Sequence, residues 1–295
     1  MRIGLVGAGN IGRHFAARWA AAGHCVSVYD TCKKARSHAA SMGALPAADL
    51  GKLIANQDAI ALSLPTPEVV VDVARTIASL VCVHPVRLIV DLSTTGADAT
   101  VHVDTLLKEA GVPFFSAPVS GGTVAAAEGQ LTVMAAGPLP GWERAMPMFD
   151  AIARHTFYLG PNIRLGQTLK LINNTLYAAC MLASCEALVC GTKAGIEAHT
   201  LLNVINRSSG RCFATMERLP NALDRSFPLR FKTSLLRKDV HLALMAADEL
   251  GVPMQVSKAA LRLLDDAMVA GLGEADNITA IRVVERHAGV VFGDF

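Results

Sequence analysis

The feature that most restricts the fold lies at the start of the chain. The apolar run Arg2–Val6 passes directly into Gly7-Ala8-Gly9-Asn10-Ile11-Gly12, where a helical pattern from Ile11 to Ala22 begins. A GxGxxG spacing is weak by itself, because turns need glycine for many reasons. Between a strand and a helix it is stronger. Gly7 permits a tight turn, Gly9 lets backbone approach a pyrophosphate, and Gly12 lets the helix pack near the sheet. The helix N-terminus adds unpaired N–H groups and positive potential. A second apolar run, Cys25–Tyr29, leads to Asp30, about twenty residues beyond the turn, where a carboxylate can accept hydrogen bonds from ribose hydroxyls. Gly7, Ala8, Gly9, Asn10, Ile11, Gly12 and Asp30 are therefore expected to bind a dinucleotide. The Asp30 carboxylate repels a 2′-phosphate and favours NAD. Lys33 and Lys34 follow closely and could offset that repulsion, which leaves NADP open.

The alternation continues. Ala59–Leu64 and Leu88–Leu92 are compact apolar runs suited to strands buried on both faces, with helical patterns over 33–42, 67–80 and 97–110 between and after them. Thr66-Pro67-Glu68 reads as a helix start: a hydroxyl cap, proline in the first turn, and a carboxylate at the positive end. Pro113–Phe115, Leu131–Ala135 and a helix near Gly141–Ala153 complete this half. Beyond Gly160-Pro161 the chain reads as helix: Ile163–Gly195, Thr200–Arg207, Thr233–Leu250, Met254–Ala270 and Ala275–Arg286, with Gly251-Val252-Pro253 and Gly271-Leu272-Gly273 as stops. The expected fold is α/β: a Rossmann-type, doubly wound parallel sheet over residues 1–161, then an all-α domain over 162–295, joined by a long helix.

Composition narrows the class. With 52% hydrophobic and 18% charged residues over 295 positions, the chain can build a core and is not intrinsically disordered. A net charge of +2 gives no cause to expect nucleic acid or a membrane surface as partner. The most apolar stretch, Leu176 to Ile196, carries Glu186 and Lys193 and reads as a buried helix rather than a bilayer span. Seven cysteines (25, 32, 82, 180, 185, 190 and 212) form no CxxC pair, and their odd number argues against a disulfide framework. With no secretory pattern at the start, a reduced, cytoplasmic protein is expected. The nine histidines show no HxH or HExxH spacing, so no metal is assigned, and no GxSxG elbow suggests a hydrolase.

Other segments carry chemistry. Ser120-Gly121-Gly122 follows a β-like run and offers a hydroxyl with exposed backbone N–H groups, a concavity suited to a carboxylate or simply a turn. Lys170 stands on an otherwise apolar helix, and Asn174 lies four residues on, so the two share a face. A lysine in an apolar cleft is desolvated, which disfavours its charged form and suits it to proton exchange; the alternative is a side chain that snorkels to the surface. Arg211, in Ser208-Ser209-Gly210-Arg211, could bind a second anionic group of a substrate or pair with a carboxylate at a contact.

The N-terminal glycine turn, Ala117-Pro118-Val119-Ser120-Gly121-Gly122, the run from Gly160 through Lys170 to Asn174, and Lys238-Asp239 occur in that order. Together, over nearly the whole chain, they resemble the β-hydroxyacid dehydrogenase family. The resemblance implies an NAD(P)-dependent oxidoreductase that moves hydride between a small 3-hydroxy carboxylic acid and nicotinamide. It implies Lys170 as general acid/base, Ser120, Gly121, Gly122 and Thr123 as the substrate loop, and Asn174 as the amide that holds the substrate. It further implies that Phe231 and Lys238 close over substrate and nicotinamide, and that Leu64, Pro65, Ser93 and Thr94 contact the cofactor. Ser116 departs from the acidic residue many relatives carry there, and Asn10-Ile11 from their small residue and Met or Leu. Imine reductases share the architecture but generally lack the lysine; a non-catalytic binding module that keeps the fold is the other alternative. The apolar helices of the second half suggest a homodimer or homotetramer.

Overall fold

The computed structural model describes residues 1–81 and 86–293. Cys82 lies outside them. The chain divides into two compact units, Met1–Lys170 and Leu171–Phe295.

The first unit is built on β1 (Arg2–Val6), α1 (Gly12–Ala21), β2 (Cys25–Tyr29), α2 (Lys33–Ser41), β3 (Leu45–Pro46), α3 (Leu50–Ile54), β4 (Ala59–Leu62), α4 (Pro67–Leu80), β5 (Ile89–Asp91), α5 (Ala97–Glu109) and β6 (Phe114–Ser116). The six strands form one parallel sheet in the order β3-β2-β1-β4-β5-β6. β1 is central: Gly4 stands opposite Ser27 on one side and Ile60 on the other. Alternate strand residues serve opposite faces. Ile3, Leu5, Val28 and Val90 pack with Phe15, Trp19 and Phe149, whereas Val6, Ile60, Leu62 and Ile89 pack with Ile54, Ile77 and Leu107. Burial on both faces explains why these strands read as unbroken apolar runs. α4 starts as its sequence suggests, with Thr66 Oγ1 accepting the Val69 N–H at 3.4 Å and Pro67 in the first turn.

The expected run Leu131–Ala135 is a strand, but it belongs to a second sheet that was not anticipated. β7 (Val119–Ser120), α6 (Gly122–Glu128), β8 (Leu131–Ala135), α7 (Leu139–Asp150) and β9 (Ala153–Tyr158) supply a second sheet, β7-β8-β9, antiparallel then parallel. The helix near Gly141–Ala153 ends at Asp150, and β9 follows. β9 is an edge strand with mostly half-exposed and exposed residues, Ala-Arg-His-Thr-Phe-Tyr, and so lacks an apolar run. β3 and α3 likewise carry too few residues to show a period.

The long helix α8 (Arg164–Lys193) leads into α9 (Ala198–Asn206), a π-helical turn (Ala214–Arg218), α10 (Pro220–Leu223), α11 (Thr233–Glu249), α12 (Gln255–Val269), a 3-10 turn (Asn277–Ala280) and α13 (Ile281–Ala288). α9 starts earlier than Thr200 because Glu197 caps it, accepting N–H groups from His199 at 2.8 Å and Thr200 at 2.6 Å. The core of the helical unit gathers Leu182, Leu188, Leu219, Leu236, Val240 and Leu264. In the same unit the Arg218 guanidinium meets Asp276 at 2.7 Å, both side chains buried. The same Asp276 accepts backbone N–H groups of Arg230, Phe231 and Ile278, which fixes the approach to α11. By length and composition α8 could cross a membrane; half of its most apolar window is buried inside the protein.

Candidate active site

The glycine turn follows β1, and two of its three glycines are demanded by the protein itself. Gly7 has φ +95°, and a Cβ there would lie 2.2 Å from the Ser63 carbonyl oxygen. A Cβ on Gly12 would lie 2.1 Å from the Gly7 oxygen. Gly9 is different: its backbone is not left-handed, it is exposed, and a Cβ would meet nothing within 4 Å. The open side of Gly9 beside the start of α1, which has no side-chain cap and no acidic residue in its first turn, fits the phosphates of a dinucleotide. Asp30 tightens this turn. Its carboxylate accepts the Ala8 N–H and the Cys32 N–H, each at 2.8 Å, and its carbonyl accepts from Arg36. Asn10 is exposed and Ile11 half-buried as the helix begins.

The neighbouring loops are joined by hydrogen bonds. Ser93 Oγ accepts the Leu64 N–H at 2.9 Å, and Asp91 Oδ1 accepts the Ser93 N–H at 2.9 Å. Leu64-Pro65 follows β4 and Ser93-Thr94 follows β5, at the carboxyl edge where parallel sheets bind ligands. Ser120 ends β7, Gly121 has φ +134°, and Gly122 opens α6. The segment expected as a loop is thus a strand-to-helix turn; a Cβ on Gly121 would sit 2.7 Å from that of Ala125. Gly121 and Gly122 are exposed, and Ser120 and Thr123 half-buried.

Lys170 is 8% exposed, near the start of α8. Gln167, one turn earlier, is wholly buried and was not anticipated. Its only trace in sequence is an amide among the residues preceding Lys170. Asn174 stands one turn beyond Lys170 on the same helix. Within the helical unit its Nδ2 donates to Asp239 Oδ2 at 2.7 Å, and its Oδ1 accepts from Asn173 at 3.2 Å. The other Asp239 oxygen lies 2.9 Å from the Lys238 ammonium. Asp239, 2% exposed, therefore joins Asn174 to Lys238. Sequence reasoning noted Lys238-Asp239 as a pair but missed this link. Phe231 is half-buried against the helical core, with its N–H on Asp276 at 3.0 Å. Tyr177 OH donates to Asn277 Oδ1 at 2.9 Å, and burial pushes its phenol well above the ordinary range. Arg211 is exposed. Among the described residues no group of histidine, cysteine and carboxylate side chains could hold a metal ion.

A parallel sheet with a glycine turn on its central strand, followed by a helical unit, defines a dinucleotide-binding protein of the α/β class. Residues 2–160 match the family model described as the NAD binding domain of 6-phosphogluconate dehydrogenase. Residues 165–284 match the one described as NAD-binding of NADP-dependent 3-hydroxyisobutyrate dehydrogenase. The chain is 29% identical to 2-(hydroxymethyl)glutarate dehydrogenase of Eubacterium barkeri, over 98% of this chain and 97% of that one. It is 30% identical to NAD-dependent L-serine dehydrogenase of Pseudomonas aeruginosa, over 93% and 95%. The solved structure of Mycobacterium tuberculosis 3-hydroxyisobutyrate dehydrogenase with L-serine superposes with a TM-score of 0.85 at 28% identity, covering 96% of this chain and 98% of that one. The chain belongs to the β-hydroxyacid dehydrogenase family. It is an NAD(P)-dependent dehydrogenase of the 3-hydroxyacid type, and these relatives do not favour the imine-reductase or non-catalytic alternatives.

Proposed function

We propose that this enzyme interconverts a 2-substituted 3-hydroxypropanoate and its semialdehyde, with Lys170 exchanging the proton. The three relatives are named for 2-(hydroxymethyl)glutarate, L-serine and 3-hydroxyisobutyrate, which share a primary hydroxyl on the carbon next to the one that bears the carboxylate. The bound nicotinamide dinucleotide supplies the hydride acceptor, or the donor in reverse. Ser120 and the backbone N–H groups of Gly121 and Gly122 hold the substrate carboxylate, with Thr123 beside them. Asn174, one of its two N–H donors committed to Asp239, orients the substrate. In oxidation the Lys170 amine takes the proton from the substrate hydroxyl oxygen; in reduction its ammonium returns one to the carbonyl oxygen. On the resemblance to the family, Phe231 is assigned to the substrate and Lys238 to the nicotinamide cofactor.

The observation that carries this reading is the burial of Lys170 on an apolar helix, one turn beyond an amide anchored to the loops of the sheet's carboxyl edge. Burial sets the Lys170 nitrogen apart from bulk water, where a proton would pass to a bound substrate oxygen rather than to solvent. Asp30 supports NAD over NADP, because a carboxylate at the end of β2 repels a 2′-phosphate. Exposed Ile172 and Leu176 on α8, with Phe213 and Met216, support a homodimer or homotetramer, which light scattering would test.

The central test is Lys170→Ala. Turnover of hydroxyisobutyrate or serine, followed by nicotinamide absorbance, should fall 10²- to 10⁴-fold, on the scale of a lost general acid/base, while NADH still binds. Undiminished turnover would refute the proton-transfer role. A panel of hydroxy acids and semialdehydes, each with NAD and NADP, tests the substrate class and the cofactor preference.

A further inference from the structure

Gln167 is fully buried, and each of its four hydrogen-bonding positions is used. Its Oε1 accepts the Thr95 N–H at 2.9 Å and the Gly96 N–H at 3.3 Å. Its Nε2 donates to the Ser93 carbonyl oxygen at 3.0 Å and to Ser116 Oγ at 3.3 Å. One side chain thus grips the loop after β5 on both sides of Thr94 and reaches the last residue of β6. Ser93 extends the grip to the loop after β4 through its bond from Leu64. Directly before Gln167, Gly166 lets the helix come flush with the strands: a Cβ there would lie 2.8 Å from the Met134 oxygen and 2.9 Å from the Ser116 oxygen.

Lys170 follows Gln167 by three residues, on the same flank of α8 and about 4.5 Å further along its axis. A buried amide with every donor and acceptor satisfied has one orientation, and in a low-dielectric interior it resists displacement. We propose that Gln167 is the positioning residue that holds the Lys170 turn in register with the cofactor loops at Leu64-Pro65 and Ser93-Thr94. Its contribution is alignment: it fixes the height and rotation of the lysine over the edge where a nicotinamide would sit, and it touches no reacting atom. The inference rests on Lys170 being the proton-transfer group. Misplacing a catalytic group by about an ångström costs on the order of a hundredfold in rate, so the loss should appear in kcat.

Three variants decide it. Gln167→Met keeps length and removes all four bonds; kcat should fall roughly 10- to 100-fold, with NADH affinity and the KM for the hydroxy acid changed less than about threefold. Gln167→Glu is nearly isosteric. Ionised, it keeps the acceptors for Thr95 and Gly96 but cannot donate to Ser93 or Ser116; protonated, it donates again. Its kcat relative to wild type should therefore rise as pH falls, a signature that altered stability alone would not produce. This variant also carries the test if Gln167→Met does not fold. Folded Gln167→Met with kcat within twofold of wild type, or a Gln167→Glu ratio that is flat with pH, would overturn the inference. Lys170→Ala separates the two levels. Retained turnover there defeats the lysine reading itself, whereas a dead Lys170→Ala beside a fully active Gln167→Met defeats only the role of Gln167.

Discussion

The backbone N–H of Ala8 donates to the Asp30 carboxylate at 2.8 Å, tying the glycine turn to the end of the neighbouring strand. With the Cys32 N–H on its other oxygen, Asp30 organises the phosphate turn as well as the expected ribose site. Replacing it should therefore do more than relax the choice between cofactors. Asp30→Ala is expected to weaken NADH binding at least tenfold, to narrow the NADH to NADPH affinity ratio, and to cost about 1–3 kcal/mol of stability for the lost charged hydrogen bonds. Fluorescence titration with both nucleotides and denaturant unfolding measure these effects. Unchanged NADH affinity would show the turn to be indifferent to Asp30.

Gly9 and Gly12 should separate folding from binding. A Cβ at 9 meets nothing within 4 Å, so Gly9→Ala is expected to unfold at the wild-type midpoint while losing dinucleotide affinity. A methyl at 12 collides with backbone, so Gly12→Ala should lose about 1–3 kcal/mol together with affinity. Thermal unfolding with and without NADH makes the comparison: a nucleotide-induced rise in Tm should survive in neither variant.

Asp239 links Asn174 to Lys238. Asp239→Ala would strip a buried amide of its acceptor and an ammonium of its counter-charge, a loss of about 1–3 kcal/mol. It is expected to raise the KM for the hydroxy acid several-fold, because Asn174 is then free to turn. Steady-state kinetics with saturating NAD would reveal this, and an unaltered KM would argue that Asn174 does not hold the substrate.

The thiols should titrate in a fixed order. Burial pushes the Cys212 thiol up, but hydrogen bonds from the Thr215 backbone and side chain, the Ser184 hydroxyl and the Ala214 backbone outweigh it and bring it below the ordinary value. Burial, with Cys212 nearby, raises Cys180, and burial raises Cys185 well above the ordinary range. A lowered pKa places more thiolate at a given pH, so iodoacetamide labelling of Cys212 should reach half its limiting rate at lower pH than that of Cys180, with Cys185 inert. Peptide mass spectrometry across a pH series reads the order directly.

What could be read from the chain beforehand followed the range of each interaction. The GxGxxG turn, the Thr66-Pro67 cap and the doubly buried strands rest on local period and on neighbours a few residues apart, so the residues announce them. β9 could not be read, because an edge strand with one solvated side carries no apolar run. The Gln167 contacts reach back more than seventy residues to Ser93 and Thr95, and the Asn174–Asp239 bond spans 65 positions. Nothing in a local window marks those pairs. A lone amide beside a lysine, or an aspartate after one, looks like ordinary helix surface until the fold brings its partner. The resemblance to known dehydrogenases pointed to Lys170 and Asn174 as candidates, but not to the contacts of Gln167 or to the bond between Asn174 and Asp239.

During synthesis β1 emerges first, yet it occupies the middle of the sheet, flanked by β2 and β4. A nascent chain can pair β2 with it at once, but its opposite edge stays bare until Ala59–Leu62 has left the ribosome. Until both neighbours are in place an edge of β1 presents unpaired N–H and C=O groups, and a pause in translation between β2 and β4 would leave that edge open to pairing with another chain.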